Sequence, residues 1–152
     1  MALRSLSLLA CAVLIGTLLS VQPATVPPAR AATVPLDGFV ADMVFSANGS
    51  RLYTADWRND AVVEIDATTG VVLRTIDVQF RPNSIAMAPD GRSIVTGHDE
   101  MGGLTVISLP SGVRRDVAVT RGIDDIAFSS NGRTLYFTAG SYWLGLLPVP
   151  SY

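Results

Sequence analysis

The stretch "FSANGSRLYTADW" occupies residues 45–57, and the chain repeats it twice in altered form. The later copies are "MAPDGRSIVTGHD" at residues 87–99 and "FSSNGRTLYFTAG" at residues 128–140. The glycines that align the three copies are 42 and 41 residues apart: Gly49, Gly91 and Gly132. That period is typical of arrays in which each repeat forms one sheet of four strands. The sequence therefore predicts a repeat protein built from equivalent sheets.

Every segment of the repeat has the pattern of a β-strand. "ADMVFS" and "AVVEID" are rich in β-branched and aromatic residues, which favour pleated, half-buried surfaces. Asn48-Gly49, Asp90-Gly91 and Asn131-Gly132 are dipeptides that tolerate the positive φ angles of tight hairpins. We therefore predict an all-β, propeller-type array of about three four-stranded antiparallel blades. Their approximate bounds are 41–80, 83–121 and 124–150.

Each such sheet has two apolar faces, which only neighbouring sheets can cover. Equivalent positions of the three copies should then form the layers between sheets. The expected layer residues are Phe45, Met87 and Phe128, together with Val44, Ala86 and Ala127.

A resemblance follows from "GSRLYTADWRNDAVVEIDATTGVVLRTIDV", at residues 49–78. This segment resembles the YVTN-type β-propeller repeat of exported bacterial and archaeal proteins, in which an "spDG" turn, an "lYVtn" strand and a "VID" strand follow one another. Ser46-Ala47-Asn48-Gly49, Leu52-Tyr53-Thr54 and Val63-Glu64-Ile65-Asp66 hold those places. The likeness covers roughly residues 33–138, and "SYWLGLLPVPSY" then departs with two prolines. It implies an exported propeller module, which we expect to act as a non-enzymatic binding or scaffold protein.

The first 31 residues predict a signal peptide. Arg4 precedes an apolar run from Leu6 to Leu19, and Ala29-Arg30-Ala31 supplies a small-residue cleavage site before Ala32. An uncleaved anchor is the alternative. We expect a secreted, periplasmic or cell-envelope protein with no membrane segment besides this peptide. Cys11, the single cysteine, would leave with it, so no disulfide or cysteine metal site is expected.

The charge of the remaining chain argues against nucleic acid as a partner. All 11 basic residues are arginine, and nine of them remain after residue 31 against 13 acids. A mildly acidic domain without a run of basic residues lacks the positive surface that phosphate backbones require.

The number of blades leaves two arrangements open. Propellers normally close with about four to eight blades, and this chain predicts about three. "ATVPLDG" at residues 32–38 resembles an outermost strand. Two copies could form a six-bladed ring in which each lends this strand to close the other's last blade. Alternatively, the chain is a truncated or split relative of a longer propeller and joins another propeller chain.

The most polar loops should share one rim of the array, where we place the ligand-binding surface, because loops on a rigid scaffold commonly carry function. The residues of this predicted rim are Asp56, Trp57, Arg58, Asp60, Arg81, Asn83, His98, Asp99, Glu100, Arg121, Asp124 and Asp125.

Structural roles compete with functional ones at each of these residues. His98 could be a general base or a metal ligand, or a solvated loop residue. Asp124 and Asp125, with Asp56 and Asp60, could bind Ca²⁺ or cap turns. Trp57 and Trp143 could stack on a ligand or pack between blades.

No catalytic motif is recognisable, so we predict no catalytic residue, no cofactor and no metal. The alternative is a fragment of a metal-dependent propeller enzyme, of the lactonase or oxidoreductase type, that acts through His98, Asp99, Asp124 and Asp125.

Overall fold

Eleven strands run through the part of the chain that the computed structural model describes, residues 33–99, 102–140 and 144–149. These residues belong to one compact unit, Ala32–Tyr152. The predicted signal peptide, residues 1–31, lies outside the described residues. Within the described ranges, no helix is long and apolar enough to cross a bilayer.

The strands form three antiparallel sheets in chain order. The first sheet contains β1 (Val40–Phe45), β2 (Arg51–Asp56), β3 (Ala61–Asp66) and β4 (Val72–Asp77). The second contains β5 (Pro82–Met87), β6 (Ser93–His98), β7 (Gly103–Ser108) and β8 (Arg114–Val117). The third contains β9 (Asp125–Phe128), β10 (Thr134–Thr138) and β11 (Leu144–Pro148). The predicted all-β array of antiparallel blades is confirmed.

The three aligned glycines make the same turn in each sheet. Gly49, Gly91 and Gly132 have φ angles of 70°, 68° and 69°, a left-handed conformation that glycine adopts without steric cost. Their N–H groups donate to the carbonyl oxygens three residues earlier, at 2.8, 2.8 and 2.9 Å. The repeat in the sequence is therefore a repeat of one hairpin geometry.

The third strand of each sheet ends in a matching way. The N–H of the residue after it donates to the carbonyl oxygen of the residue just before the second strand, at 3.1, 2.7 and 2.8 Å for Ala67, Leu109 and Val149. This match identifies β11 as the third strand of the third sheet, although the sequence there departs from the repeat. Pro148 is on β11, which is an edge strand of the described sheet, and edge strands tolerate proline.

The apolar core lies between the sheets. One cluster joins the first and second sheets: Tyr53, Ala55, Val62, Ile76, Val78, Ile85, Ile94 and Ile107. Another joins the second sheet to the third: Val95, Leu104, Ile123, Ile126 and Leu135. Each sheet is therefore held by its neighbour's side chains, as expected of stacked repeats.

Four of the six expected layer residues pack against these clusters. Val44 and Met87 contact the first cluster, and Ala86 and Phe128 contact the second.

Within the single chain, the other two expected layer residues do not lie in a layer between sheets. Phe45 is 54% exposed, and Ala127 is also exposed. The reason is their direction. Phe45 matches Met87 and therefore faces the side of a preceding sheet, which the first sheet does not have within the described chain. Ala127 matches Ala86 and therefore faces the side of a following sheet, which the third sheet does not have there.

The segment 33–38 contains no strand and runs beside the first sheet. A methyl group of Val34 lies near Gly70, at one end of β3, and the carbonyl oxygen of Asp37 accepts from the side-chain amide of Asn59, near the other end. Val63 and Ile65 of β3 point away from the second sheet and are nevertheless buried. We therefore place this segment along the outer half of that face.

A carboxylate links the first two sheets by a charge-assisted hydrogen bond. Asp42, on β1, accepts the backbone N–H of Met43 at 2.7 Å with Oδ1 and that of Ile85, on β5, at 2.9 Å with Oδ2. Bonds to an ionised acceptor are stronger than neutral ones. Asp42 therefore fixes the register of the two sheets as well as their separation.

Replacing Asp42 by alanine should lower the free energy of unfolding by about 1–2 kcal/mol, because the N–H of Ile85 loses its acceptor. Urea unfolding at neutral pH measures the change. Asp77→Ala is the matched control, since the described residues give the exposed Asp77 no side-chain hydrogen bond. Equal losses in the two variants would contradict a role for Asp42 between the sheets.

Candidate functional site

The described residues of the predicted rim lie at the end of the sheets where β2 meets β3 and where the chain passes to the next sheet. The β2–β3 loop and the β4–β5 connection contact each other directly. The N–H of Val78 donates to the carbonyl oxygen of Asp60 at 2.8 Å, and the N–H of Arg81 donates to Asp60 Oδ1 at 2.8 Å. Asp60 therefore joins two loops of the rim.

Asp56 is a buried hub of hydrogen bonds. Its Oδ1 accepts the backbone N–H groups of Phe39, Arg58 and Asn59 at 3.0, 3.2 and 3.2 Å. Its Oδ2 accepts the side-chain amide of Asn59 at 2.9 Å. The carboxylate ties the segment before β1 to the β2–β3 loop. This arrangement supports a capping role, because the oxygens already have donors.

Asp56→Ala should lower the free energy of unfolding by about 2–4 kcal/mol, because several partly buried N–H groups lose their acceptor together. Thermal and urea unfolding measure the loss. Asp99→Ala is the control, because Asp99 is exposed on the same rim and only its backbone N–H has a partner among the described residues. An unfolding energy unchanged in Asp56→Ala would show that the carboxylate is not structural.

Trp57 belongs to a stack of side chains on the same rim. Its ring meets that of Phe39 edge to face, with centroids 6.0 Å apart. The guanidinium carbon of Arg81 lies 4.4 Å from the centroid of the Trp57 ring and 4.5 Å from that of Phe80. Cation–π contacts of this kind hold an arginine against aromatic faces. Trp57 thus packs two loops together, while Arg58 beside it is exposed.

His98 is the last residue of β6 and is completely buried. Its Nδ1 lies 3.1 Å from the carbonyl oxygen of Phe80, which can only accept, so Nδ1 carries the proton. Its Nε2 lies 3.2 Å from Thr96 Oγ1 and 3.0 Å from Thr105 Oγ1. The Thr105 hydroxyl donates to Asp116 at 2.8 Å, so the Thr96 hydroxyl is the donor to Nε2. Both ring nitrogens are engaged inside the fold, which supports a structural role.

Burial lowers the pKa of His98 from its usual value of 6.5, against smaller opposing effects of the bond to Phe80 and of the charges on Asp116 and Asp60. The unfolded chain therefore binds the proton more tightly than the folded chain does. The stability that neutral His98 contributes is complete above about pH 6.5 and is lost as the pH falls through the lower folded pKa.

The free energy of unfolding should accordingly fall as the pH is lowered from about 7.5 to 5, with a slope of up to one proton from this residue. His98→Gln should remove that part of the slope. Urea unfolding at several pH values measures both. A stability that rises over this range, or a slope that is the same in His98→Gln, would contradict the assignment.

The remaining rim residues are held by several separate contacts. The side-chain amide of Asn83 donates to the carbonyl oxygen of Ile123 at 2.6 Å, and the N–H of Asp124 donates to Thr138 at 2.8 Å. Asp125 Oδ1 accepts the N–H of Ile126 at 2.8 Å. Arg121 is exposed and makes contacts within the chain. Glu100 and Trp143 lie outside the described residues.

The carboxylates of the rim stay dispersed. Across residues 33–99, 102–140 and 144–149, no three histidine, cysteine or acidic side chains are close enough together to hold a metal ion. The predicted grouping of Asp124 and Asp125 with Asp56 and Asp60 is therefore not formed by the described residues.

A cleft that the sequence analysis did not predict lies at the opposite end of the sheets. It has a volume of about 640 Å³ and opens between the hairpin turns of the second and third sheets. Its polar lining includes Arg92 and Arg133, each directly after a turn glycine. Such a site is hard to recognise in the sequence, because the geometry of the turns already accounts for the glycine, asparagine and aspartate residues found there.

Two solved structures share the arrangement of sheets. One is titled "Kuenenia stuttgartiensis Hydrazine Synthase", with a TM-score of 0.69 and 22% identity over 81% of this chain and 36% of that one. The other, "Structure of U3-55K", has a TM-score of 0.68 and 15% identity over 76% of this chain and 37% of that one. Neither a protein-family model nor a curated protein matches the sequence.

The likeness to these propeller-containing structures defines the fold alone. The described chain is a β-propeller-type array, with each sheet corresponding to one blade. It spans little more than a third of the length of either structure.

Proposed function

We propose that the chain is an exported β-propeller module of the YVTN type, a non-enzymatic binding or scaffold protein whose working form is a six-bladed ring of two copies. The observation that carries the proposal is the exposure of apolar side chains on the outer faces of the first and third sheets. The signal-peptide pattern and the YVTN-like repeat support export and family.

The outer face of the third sheet exposes residues whose counterparts are buried. Leu144 matches Val62 and Leu104 in the alignment of third strands. Leu144 is 66% exposed, whereas Val62 and Leu104 are 0% exposed. Tyr136 matches the buried Tyr53 and Val95 in the same way and is 38% exposed. These side chains have the character of an interface between blades.

The outer face of the first sheet shows the same contrast at its inner strand. Met43 is 60% exposed, whereas its counterparts Ile85 and Ile126 are 5% and 6% exposed. Full burial of one such side chain contributes about 1.5–3 kcal/mol. Covering Met43, Phe45 and Leu144 would therefore stabilise an assembly substantially.

The two exposed faces are complementary in direction. Val62 and Leu104, the counterparts of Leu144, face the sheet that follows, and Ile85 and Ile126, the counterparts of Met43, face the sheet that precedes. The third sheet of one copy can therefore receive the first sheet of another as its next blade. Three blades from each of two copies make six, within the usual range of closed propellers, and closure covers the outer faces of both copies.

The segment 33–38 fits a second role in this ring. Among the described residues the third sheet has three strands, and β11 is its edge. In the ring, this segment would leave the face of its own first sheet and pair with β11 of the other copy as the outer strand. Pairing of this kind protects an edge that would otherwise template aggregation.

The rim supports the non-enzymatic part of the proposal. Asp56, Asp60 and His98 use their polar atoms to join loops and strands of the fold. A general base or metal ligand requires a side chain that can reach a substrate or an ion. His98 does not meet this requirement, because both of its ring nitrogens are bonded within the fold.

Light scattering coupled to size-exclusion chromatography tests the ring, and the chain mass from the same sample shows whether cleavage occurs before Ala32. We expect a mass of two chains at micromolar concentration. Leu144→Asp should weaken association by at least about 30-fold, because a charge replaces an apolar contact at the interface. Val113→Asp is the control, since Val113 is 65% exposed at the outer edge of the second sheet.

A monomer at micromolar concentration, or an assembly of another size, would contradict the ring. Unchanged association in Leu144→Asp would place the contact elsewhere. Weaker association in both aspartate variants would mean that the effect is one of charge and not of the outer face.

A further inference from the structure

The cleft between the second and third sheets is built by their hairpin turns. The turn of the third sheet rests on that of the second, because a side-chain carbon of Pro89 lies 3.5 Å from the position that a Cβ would take on Gly132. The cleft of about 640 Å³ opens beside this contact. Its volume is within the range of about 300–1,000 Å³ that small-molecule sites occupy.

Two arginines supply the positive charge of the cleft. Arg92 and Arg133 follow Gly91 and Gly132, occupy matching positions of the repeat and line the cleft from its two sides. Neither guanidinium has an ion pair in the part of the chain that the structure describes. Asp90 is the one acid of the lining, and its Oδ1 accepts the backbone N–H of Arg92 at 2.9 Å. The lining therefore carries two positive charges and one negative charge.

The first sheet has an ion-paired arginine near the same turn: Arg51, which is two residues after Gly49 and therefore one position beyond the places of Arg92 and Arg133 in the repeat. Arg51 forms ion pairs with Asp66 at 2.8 Å and with Glu64 at 3.5 Å. In the second sheet Ser93, Val106 and Ser108 take the places of Arg51, Glu64 and Asp66, and all three line the cleft. The second sheet therefore has neither of the two acids of the first sheet at these positions, so neither is there to pair with Arg92 or Arg133.

The rest of the lining combines aliphatic side chains with small polar groups. Pro89, Val106, Leu109 and Val149 supply aliphatic surface. Ser93, Ser108, Ser130 and Asn131 supply hydrogen-bonding groups. Guanidinium groups bind carboxylates through paired N–H donors, and an aliphatic wall favours a hydrocarbon body next to them. The lining has no aromatic residue on which a sugar ring or a base could stack.

From this lining we infer that the cleft binds an organic carboxylate with an aliphatic body, with the carboxylate between Arg92 and Arg133 and the hydrocarbon on Pro89, Val106 and Leu109. The site is distinct from the predicted rim and does not depend on the assembly of two copies.

Hexanoate is the probe, and NMR titration of the ¹⁵N-labelled chain gives both affinity and location. We expect saturable binding, with the largest shifts at the turns around Gly91 and Gly132. Hexanamide has nearly the same shape without the charge and should bind at least about tenfold more weakly. Acetate lacks the hydrocarbon body and should also bind more weakly.

Arg92→Gln and Arg133→Gln should each weaken hexanoate binding by at least about tenfold. The matched control is Arg114→Gln, which makes the same change of charge on the opposite side of the second sheet, where Arg114 donates to the carbonyl oxygen of Asp77 at 2.8 Å. It should leave the affinity within about twofold. The spectra also show whether each variant is folded, and the hexanamide comparison does not depend on any variant.

Equal affinities for hexanoate and hexanamide would overturn the inference. So would shifts located at the opposite end of the sheets, the same loss in Arg114→Gln as in the two cleft variants, or no saturable binding below about 20 mM.

Discussion

The structure depends on the covering of the apolar faces of each sheet by neighbouring sheets. Each sheet is apolar on both sides, and hydrogen bonds within the sheet do nothing to remove those sides from water. Tyr53 and Ile94 are buried because two sheets meet there, and Leu104 and Leu135 because the next two do. A given position of the repeat is buried where a neighbouring sheet covers it and exposed where no sheet does. The burial of a side chain in this protein thus depends on whether another sheet packs against its own sheet, and this links stability to assembly.

Polar residues divide between the two ends of the sheets. At the predicted rim, Asp56, Asp60 and His98 join loops and strands, and their polar atoms find partners within the chain. At the end with the hairpin turns, Arg92 and Arg133 form no ion pair within the described residues and line a cleft. The loops of the predicted rim therefore help to maintain the fold, and the turns at the other end provide an open charged surface. The binding that we infer for the cleft would thus use the end of the sheets opposite the predicted rim.

The fold was predictable because its signals are local and repeated. Turn glycines at Gly49, Gly91 and Gly132 and the strand pattern between them define three equivalent sheets, and the structure has them. The exposure of Phe45 and Ala127 was not predicted, because equivalence in sequence says nothing about which sheets have a neighbour. The buried state of His98 was missed because a histidine next to acids at a strand end is typical of a loop. A change from Glu64 and Asp66 to Val106 and Ser108 was the signal that could have revealed the cleft.

Native-state exchange of backbone amide hydrogens tests most directly whether the sheets are stable only through each other. If they are, the amides of β6 and β7 in the middle sheet exchange only through global unfolding, and no other sheet stays protected once they have exchanged. Strands β2 and β3, or β9 and β10, that remain protected after the middle sheet has opened would show a sheet that is stable on its own. That result would contradict the account.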